Sequence, residues 1–142
     1  MSQTPDVSVV IVSFNTKDLL RECLETLDRE SDGISYEAIV VDNASKDGSA
    51  EMVEAEFPEA RLIQSGANLG FAGANNLGFE AVQGRYVVLL NSDAFLTPGR
   101  FAARSRKWMR TRASAWPAVA SSVAMGAGNR RRACSLRSRT TC

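Results

Sequence analysis

The chain has 142 residues, enough for one domain with a hydrophobic core, and its formal net charge is +1. It has no histidine, which excludes any mechanism that needs an imidazole base, and its three cysteines lack the spacing of a metal site. No apolar run approaches the ~20 residues of a membrane span, and residues 1–6 lack the pattern of a signal peptide. A cytoplasmic protein is therefore expected, with Cys23 in its core.

The small net charge hides a division of the chain at Gly99 and Arg100. Residues 1–99 hold all sixteen acidic residues and six basic ones, a net charge of −10, whereas residues 100–142 hold eleven basic residues and no acidic one. Alanine, arginine and serine supply 25 of these last 43 residues. Because two such compositions rarely belong to one fold, we predict a domain over residues 1–99 and a poorly ordered basic tail over residues 100–142.

Strand and helix patterns alternate along the first part of the chain. Continuous apolar or β-branched runs predict four strands, and helical periodicity predicts three helices between them. In chain order these elements are Val7–Ser13, Lys17–Leu27, Tyr36–Val41, Ala50–Glu56, Arg61–Ile63, Ala72–Gln83 and Tyr86–Leu90. Such alternation predicts parallel pairing, and uninterrupted apolar strands predict helices on both faces of the sheet. The fold class is therefore α/β, a three-layer sandwich with a mainly parallel sheet.

Polar side chains follow each of the four predicted strands. One cluster of this kind is more typical of a turn than of a site. The carboxyl ends of parallel strands, however, meet at one edge of the sheet, where ligands bind in open α/β folds. We therefore predict a binding site from four clusters along this edge: Ser13-Phe14-Asn15, Asp42-Asn43-Ala44-Ser45, Asn68-Leu69-Gly70-Phe71 and Asn91-Ser92-Asp93.

Other ligand motifs are absent or incomplete. The first strand is not followed by G-x-G-x-x-G, and no G-K-[ST] phosphate loop occurs. Residues 43–54 place oxygen-bearing side chains with the spacing of a calcium loop, but a strand rather than a helix precedes them. Neither a dinucleotide oxidoreductase nor a calcium sensor is predicted.

The residues at the predicted edge suit a phosphorylated ligand. Asn91 and Asp93 offer the hard oxygen ligands that Mg²⁺ and Mn²⁺ prefer, and such a metal would bridge a diphosphate. Gly70 and the start of the third helix offer backbone N–H groups to phosphate. Asp42 has two interpretations: it accepts hydrogen bonds from a base or a ribose hydroxyl, or it serves as a helix cap or Asx turn.

Four segments, in this order and spacing, resemble the family-2 glycosyltransferases with the Rossmann-like GT-A fold: VSVVIVSFN, VVDNASKDGS, NLGFAGANNLG and LLNSDA. The third segment looks most like the rhamnosyltransferase-type members. The resemblance covers about residues 7–99, the N-terminal nucleotide-sugar-binding part of the domain, and so describes a truncated GT-A domain. It implies inverting transfer of a sugar from a nucleotide-diphospho-sugar, dTDP-rhamnose or similar, to a saccharide or lipid-linked saccharide.

The resemblance also implies a divalent metal cofactor, Mg²⁺ or Mn²⁺. It implies a role in the synthesis of cell-envelope polysaccharide or glycolipid, in the cytoplasm or at the inner face of the membrane, and no nucleic-acid partner. Carried over by position, Asp93 is the metal ligand, in a D-x-D-like motif whose first position here is Asn91. The residues assigned to the nucleotide-sugar site are Ser13, Asn15, Asp42, Asn68, Gly70 and Asn91.

Family members also carry a catalytic Asp or Glu in a later part of the domain, which removes the acceptor hydroxyl proton. In this chain no acidic residue follows Asp93. No catalytic base is therefore assigned, and we expect no sugar transfer by this chain. The alternative within the same family resemblance is a non-catalytic remnant that binds a nucleotide-sugar.

Two interpretations of residues 100–142 stay open. A composition rich in Arg, Ala and Ser without acids is typical of a GC-rich gene read out of frame. The genetic code is also compatible with a back-translation in another frame that resembles the family's continuation. The other interpretation is a functional basic tail that binds nucleic acid or anionic lipid.

Overall fold

The computed structural model describes residues 4–110 and 119–121, with side chains as far as residue 107. Strands and helices alternate through the described part of the chain. In order they are β1 (Val7–Ser13), α1 (Lys17–Glu30), β2 (Tyr36–Asp42), α2 (Ser49–Glu56), β3 (Arg61–Gln64), α3 (Gly70–Glu80), β4 (Tyr86–Asn91), α4 (Arg100–Arg110) and β5 (Val119–Ser121).

The strands form one sheet in the order β3-β2-β1-β4-β5, and every pairing is parallel. Strand β1 lies at the centre, where Ser13 is in register with Asp42 of β2 and Val12 is in register with Asn91 of β4. The carboxyl ends of these three strands are therefore level. The predicted α/β class and parallel sheet are confirmed.

The sheet carries a hydrophobic core on each face, as the continuous apolar strands predict. On one face Val9 and Ile11 belong to the core with the buried side of α1 and with Val53 of α2. On the other face Val10 packs in a second core with Ala74 of α3. Helix α3 approaches closely because its Gly78 has no side chain: a Cβ there would lie 2.5 Å from Val10 Cγ1. This is the predicted three-layer arrangement.

The core position predicted for Cys23 is confirmed. The side chain is fully buried on α1, and burial, with a smaller contribution from the charge of Asp93, raises the pKa of its thiol to about 12. A thiol with so high a pKa stays protonated at neutral pH and is unreactive as a nucleophile. Cys23 is therefore a packing residue rather than a reactive group.

The start of the predicted tail differs from the expectation. Residues 100–110 form helix α4, on which Phe101 and Ala102 are buried in the core cluster that includes α1. Just before the helix, Gly99 N donates a hydrogen bond of 2.8 Å to Glu30 Oε2. This stretch is ordered because it buries apolar surface, so the prediction of poor order needs correction there. Residues 111–118 and 122–142 lie outside the described residues, and the domain boundary at Gly99 and Arg100 stays a prediction.

Strand and helix limits differ from the predicted ones by a few residues. Strand β4 continues to Asn91, and α3 begins at Gly70 rather than at Ala72. Within the described part of the chain, no helix has the length and apolar character needed to cross a membrane.

Candidate functional site

An open cleft of about 480 Å³ lies at the carboxyl edge of the sheet. The ends of β1 and β4, the first turn of α1 and the start of α3 surround it. Its walls combine apolar and oxygen-bearing side chains, and Asp93 is the one charged residue among those that line it. The lining residues are Val12, Phe14, Thr16, Leu19, Asn43, Asn68, Gly70, Phe71, Asn91, Ser92 and Asp93.

The turn Asn91-Ser92-Asp93 presents three oxygen-bearing side chains to this cleft. It begins at the last residue of β4 and is closed by a hydrogen bond of 3.0 Å from Ala94 N to Asn91 O. Asn91 and Asp93 are exposed, since the backbone here has left the sheet. Cys23 Sγ donates to the same carbonyl, Asn91 O, at 3.5 Å. The turn therefore holds a carboxylate and an amide next to each other on a fixed backbone.

Asp42 lies at the end of β2, next to β1; it is only 4% exposed and is not among the residues that line the cleft. Its Oδ2 accepts a hydrogen bond of 3.0 Å from Ser45 N, which is the Asx-type contact expected of a turn residue. Its Oδ1 is buried and has no hydrogen-bond partner. A buried acceptor without a partner costs free energy, so this oxygen is suited to a donor group on a ligand. The turn interpretation of Asp42 is thus observed for Oδ2, and its contact with a base or a ribose hydroxyl stays a prediction.

Asn43 belongs to one of the four predicted clusters, but the sequence assigned it no individual role. Its buried side chain joins the end of β2 to the loop before α3: Asn43 Oδ1 accepts from Leu69 N at 2.8 Å, and Asn43 Nδ2 donates to Asn68 Oδ1 at 2.9 Å. Asn68 Oδ1 also accepts from Gly70 N at 2.9 Å. Asn68 and Gly70 line the cleft, and the hydrogen bonds of Asn43 hold them there. The only sequence signal was its place directly after Asp42.

Ser13 and Asn15 are not among the residues that line the cleft. Asn15 adopts a left-handed backbone with φ of 52°, and its side chain supports the loop after β2: Asn15 Oδ1 accepts from Lys46 N at 2.8 Å. Asn15 N donates to Ser45 Oγ at 3.0 Å. Ser13 is fully buried, with its Oγ 3.0 Å from Thr16 Oγ1. Their contacts stabilise the loops around the cleft, so the role assigned to them by resemblance stays a prediction.

The start of α1 is fixed by the loop after β2. Asp47 Oδ2 accepts a hydrogen bond of 2.8 Å from Lys17 N, and Asp47 Oδ1 accepts from both the backbone N–H and the hydroxyl of Ser49. Desolvation acts to raise the pKa of Asp47, but these hydrogen bonds outweigh it and hold the pKa below its usual value. A single carboxylate thus ties α1 and α2 together beside the cleft.

The donor set fits a magnesium or manganese ion that is shared with a ligand. Among the described residues there is no group of three or more His, Cys, Asp or Glu side chains able to hold a metal alone. Asp93 and Asn91 instead supply two hard oxygen ligands on one turn, and Mg²⁺ is typically bound by one or two carboxylates together with substrate phosphates. The site therefore fits a cation that arrives with a diphosphate.

Comparison with known proteins identifies the relatives of the chain. The family model described as Glycosyl transferase family 2 matches residues 8–139. The succinoglycan biosynthesis protein ExoO of Rhizobium meliloti is 34% identical over 101 residues, which are 70% of this chain and 29% of that protein. The putative glycosyltransferase EpsH of Bacillus subtilis is 31% identical over 98 residues, 68% of this chain and 28% of that protein. The chain thus spans less than a third of either relative.

Solved structures share the fold. The mannosyltransferase PcManGT from Pyrobaculum calidifontis, solved in complex with GDP-Man and Mn²⁺, superimposes with a TM-score of 0.67 at 28% identity, covering 78% of this chain and 34% of that one. Residues 1–349 of S. aureus TarS superimpose with a TM-score of 0.65 at 22% identity, covering 73% of this chain and 32% of that one, which shows the fold alone. With the family model spanning most of the sequence, and with the cleft at the carboxyl edge of a parallel sheet, the chain belongs to glycosyl transferase family 2.

Proposed function

We propose that this chain binds a nucleotide-diphospho-sugar together with a divalent metal, as the donor-binding part of an inverting glycosyltransferase. The observation that carries the proposal is the cleft at the carboxyl edge, in which Asn91 and Asp93 lie together with Asn68 and Gly70. These are four of the seven residues to which the family resemblance assigns the donor and its metal. They meet although up to 25 residues separate them in the sequence.

Asn91 and Asp93 hold the metal in this proposal. When bound, Mg²⁺ or Mn²⁺ neutralises the charge of the diphosphate and stabilises it as a leaving group. The cleft itself contains the Asp93 carboxylate and, among the described residues, no cationic side chain in its lining. A diphosphate would meet electrostatic repulsion there without a cation. The charge inventory of the site therefore supports metal-dependent donor binding.

Asp42 receives the nucleoside. Its Oδ1 is buried without a partner, and a base N–H or a ribose hydroxyl supplies the hydrogen bond that the protein does not. Gly70 has a left-handed φ of 70° and directly precedes Phe71, which lines the cleft at the start of α3. Gly70 N is already bonded to Asn68 Oδ1, so phosphate oxygens placed there would accept from the N–H groups of the next residues in the first helical turn.

The relatives and the third sequence motif carry the proposal for the sugar and the acceptor. PcManGT is solved with GDP-Man, and TarS is solved with UDP-GlcNAc, whereas the third sequence motif favours dTDP-rhamnose or a similar donor. ExoO, a relative, is a succinoglycan biosynthesis protein, which supports a saccharide or lipid-linked saccharide acceptor in cell-envelope polysaccharide synthesis. Action in the cytoplasm, at the inner face of the membrane, is part of the same proposal.

We also infer that this chain transfers no sugar. Inverting transfer needs a general base for the acceptor hydroxyl, and general-base catalysis contributes typically 10²–10⁴-fold. The cleft offers Asp93, which is committed to the metal, and no acidic residue follows it in the sequence. The chain then acts as a nucleotide-sugar-binding unit.

Isothermal titration of the chain with UDP, GDP and dTDP, each with MnCl₂ and with EDTA, tests the proposal. We expect one nucleotide to bind with Mn²⁺ and to bind far more weakly with EDTA. A coupled assay for nucleoside diphosphate release from UDP-, GDP- and dTDP-sugars should show no turnover above the uncatalysed rate. Absence of binding by all three nucleotides with Mn²⁺ would contradict the donor site, and measurable turnover would contradict the missing base.

A further inference from the structure

Thr16 is the residue before α1, but its side chain does not cap that helix. Threonine at this position usually accepts a hydrogen bond from a backbone N–H of the first turn. Here the Thr16 side chain makes no such bond, and Lys17 N is bonded instead by Asp47 Oδ2 at 2.8 Å. The hydroxyl of Thr16 is thereby left available for contacts outside its own helix.

Those contacts join two strand ends below the cleft. Thr16 Oγ1 donates to Ser92 Oγ at 3.0 Å and lies 3.0 Å from Ser13 Oγ. Since the hydroxyl proton of Thr16 goes to Ser92, the proton of the second contact comes from Ser13. Ser92 is the middle residue of the turn that carries Asn91 and Asp93, and Thr16 and Ser92 both line the cleft.

Helix α1 also holds this turn at a second point. Cys23 Sγ donates to Asn91 O at 3.5 Å, about two helical turns beyond Thr16. The side chain of Ser92 and the carbonyl of Asn91 are thus both attached to the same helix. The position of Asp93 relative to the rest of the cleft therefore depends on where α1 begins.

The start of α1 is attached in turn to the nucleoside side of the cleft. Asn15 Oδ1 accepts from Lys46 N at 2.8 Å, and Asn15 N donates to Ser45 Oγ at 3.0 Å. Ser45 N donates to Asp42 Oδ2 at 3.0 Å. Hydrogen bonds, together with the covalent link between Asn15 and Thr16, therefore connect Asp42 to the turn of Asp93.

We propose that Thr16 is a positioning residue for the metal-binding turn. Its hydroxyl sets the place of Ser92, and so of Asp93, relative to Asp42, so that one nucleoside diphosphate contacts both carboxylates at once. Thr16 acts through Ser92 and not by binding the ligand itself. This inference rests on the proposed function of the cleft, and it adds to that function a residue that the family motifs did not single out.

Four variants test it: Thr16→Val, which keeps the shape of threonine without the hydroxyl, Thr16→Ser, which keeps the hydroxyl, Ser92→Ala, and the double variant T16V/S92A. The measured quantity is the metal gain, defined as the Kd of the nucleotide with EDTA divided by its Kd with MnCl₂. The nucleotide is whichever of UDP, GDP and dTDP the parent chain binds most tightly. A general loss of structure lowers both affinities and leaves the ratio near that of the parent.

We expect Thr16→Val to reduce the metal gain about five- to tenfold, as the loss of one hydrogen bond predicts, and Thr16→Ser to keep the gain of the parent. Ser92→Ala should reproduce the loss, and the double variant should be no worse than either single one, because both remove the same contact. An unchanged gain in Thr16→Val overturns the proposal. Additive losses in the double variant also overturn it, since Thr16 would then contact the ligand directly.

Amide hydrogen exchange on the ligand-free chain provides a readout that needs no nucleotide. The Ala94 amide, bonded to Asn91 O at 3.0 Å, reports the order of the turn. It should exchange about five- to tenfold faster in Thr16→Val than in the parent or in Thr16→Ser, while the amides of β1 keep their rates. If the parent binds no nucleotide, the proposed function fails, and unchanged Ala94 exchange in Thr16→Val would separately refute the positioning role.

Discussion

Strand β2 carries a carboxylate near each end, and the structure uses the two differently. At the amino end, Glu37 Oε1 accepts hydrogen bonds from the hydroxyl of Ser8, from Gln83 N at 2.7 Å and from Gly84 N at 3.2 Å. At the carboxyl end, Asp42 accepts one bond from Ser45 N and keeps Oδ1 buried without a partner. One strand therefore carries one carboxylate whose Oε1 accepts three hydrogen bonds from the protein and one whose Oδ1 accepts none.

The surroundings of the two carboxylates differ as well: Glu37 is partly buried and lines a cavity near the amino end of β2, whereas Asp42 is only 4% exposed and is not among the residues that line the cleft. Around Glu37 the packing is tight: a Cβ on Gly84 would lie 2.6 Å from Ser8 Oγ, so only glycine fits there. Around the carboxyl edge an open cleft is bordered by exposed side chains such as Asn91 and Asp93. The number of hydrogen bonds supplied from within the protein thus differs between the carboxylate at the amino end of β2 and the one at its carboxyl end.

The largest expected effect concerns ligand binding at the open edge. Asp93→Ala should lower the Mn²⁺-dependent affinity for the nucleotide at least about 100-fold, because changes around a metal ligand already cost 10–100-fold. The free energy of unfolding should change by less than about 0.5 kcal/mol, since the side chain is exposed. Titration calorimetry and urea unfolding measure the two quantities.

Asp32→Ala is the matched control for this change, because Asp32 is an exposed carboxylate in the loop between α1 and β2, at the opposite edge of the sheet. It should leave nucleotide binding as it is in the parent. If Asp93→Ala and the parent bound the nucleotide with equal affinity, the turn of Asn91 and Asp93 would not be the metal site.

The next effect concerns stability at the closed edge. Glu37→Ala should lower the free energy of unfolding by about 3 kcal/mol, because the buried Ser8 hydroxyl and the Gln83 amide lose a charged acceptor. Glu37→Gln keeps an acceptor oxygen in the same place and should cost about half as much. Urea denaturation of both variants measures these changes. A loss of less than about 1 kcal/mol in Glu37→Ala would mean that the hydrogen bonds to Glu37 contribute little to the free energy of unfolding.

Asp42→Ala should affect nucleotide binding more than stability, the reverse of what is expected for Glu37→Ala. We expect the nucleotide affinity to fall about tenfold with the loss of one hydrogen bond to the ligand, while the free energy of unfolding changes by less than about 1 kcal/mol. Removing the side chain costs the bond to Ser45 but also removes an unsatisfied buried oxygen. If Asp42→Ala destabilised the chain as much as Glu37→Ala does, the contrast between the two ends of β2 would fail.

The smallest effect is on the pH dependence of stability. The pKa of Asp47 is lowered in the folded chain, so its contribution is present above the pKa of the unfolded state and is lost as pH falls through the folded one. Asp47→Asn should therefore reduce the difference in urea midpoint between neutral and acidic pH. The reduction should be small because Asp47 is near the surface. An unchanged difference in urea midpoint would mean that the lowered pKa of Asp47 does not stabilise the folded chain.

Much of the fold was predictable from patterns that need only neighbouring residues. The apolar run of β1 and the helical stripe with Cys23 predicted their elements, and strand ends predicted the edge on which the cleft lies. The start of α3 was placed two residues too late, because the left-handed Gly70 could be assigned to the loop as readily as to the helix.

The contacts within the site were less predictable. The roles of Asn15 and Asn43 depend on hydrogen bonds to residues that lie 25 to 31 positions away in the sequence. In the sequence, an Asn side chain at a strand end that binds a ligand cannot be told from one that binds another loop. Helix α4 was missed for another reason. Its acid-free composition suggested poor order, but Phe101, Ala102 and Ser105 have helical spacing and form its buried side.

Helix α4 also carries a local conflict between sequence and fold. Ser105 is 2% exposed, and its Oγ has no hydrogen-bond partner. Natural sequences are minimally frustrated, so that local choices agree with the global structure, and a buried hydroxyl without a partner breaks that agreement. Detaching α4 returns this hydroxyl to water, which offsets part of the free energy lost when Phe101 and Ala102 leave the core. Of the four described helices, α4 is therefore the one we expect to open first as the chain is destabilised, leaving the sheet and its cleft in place.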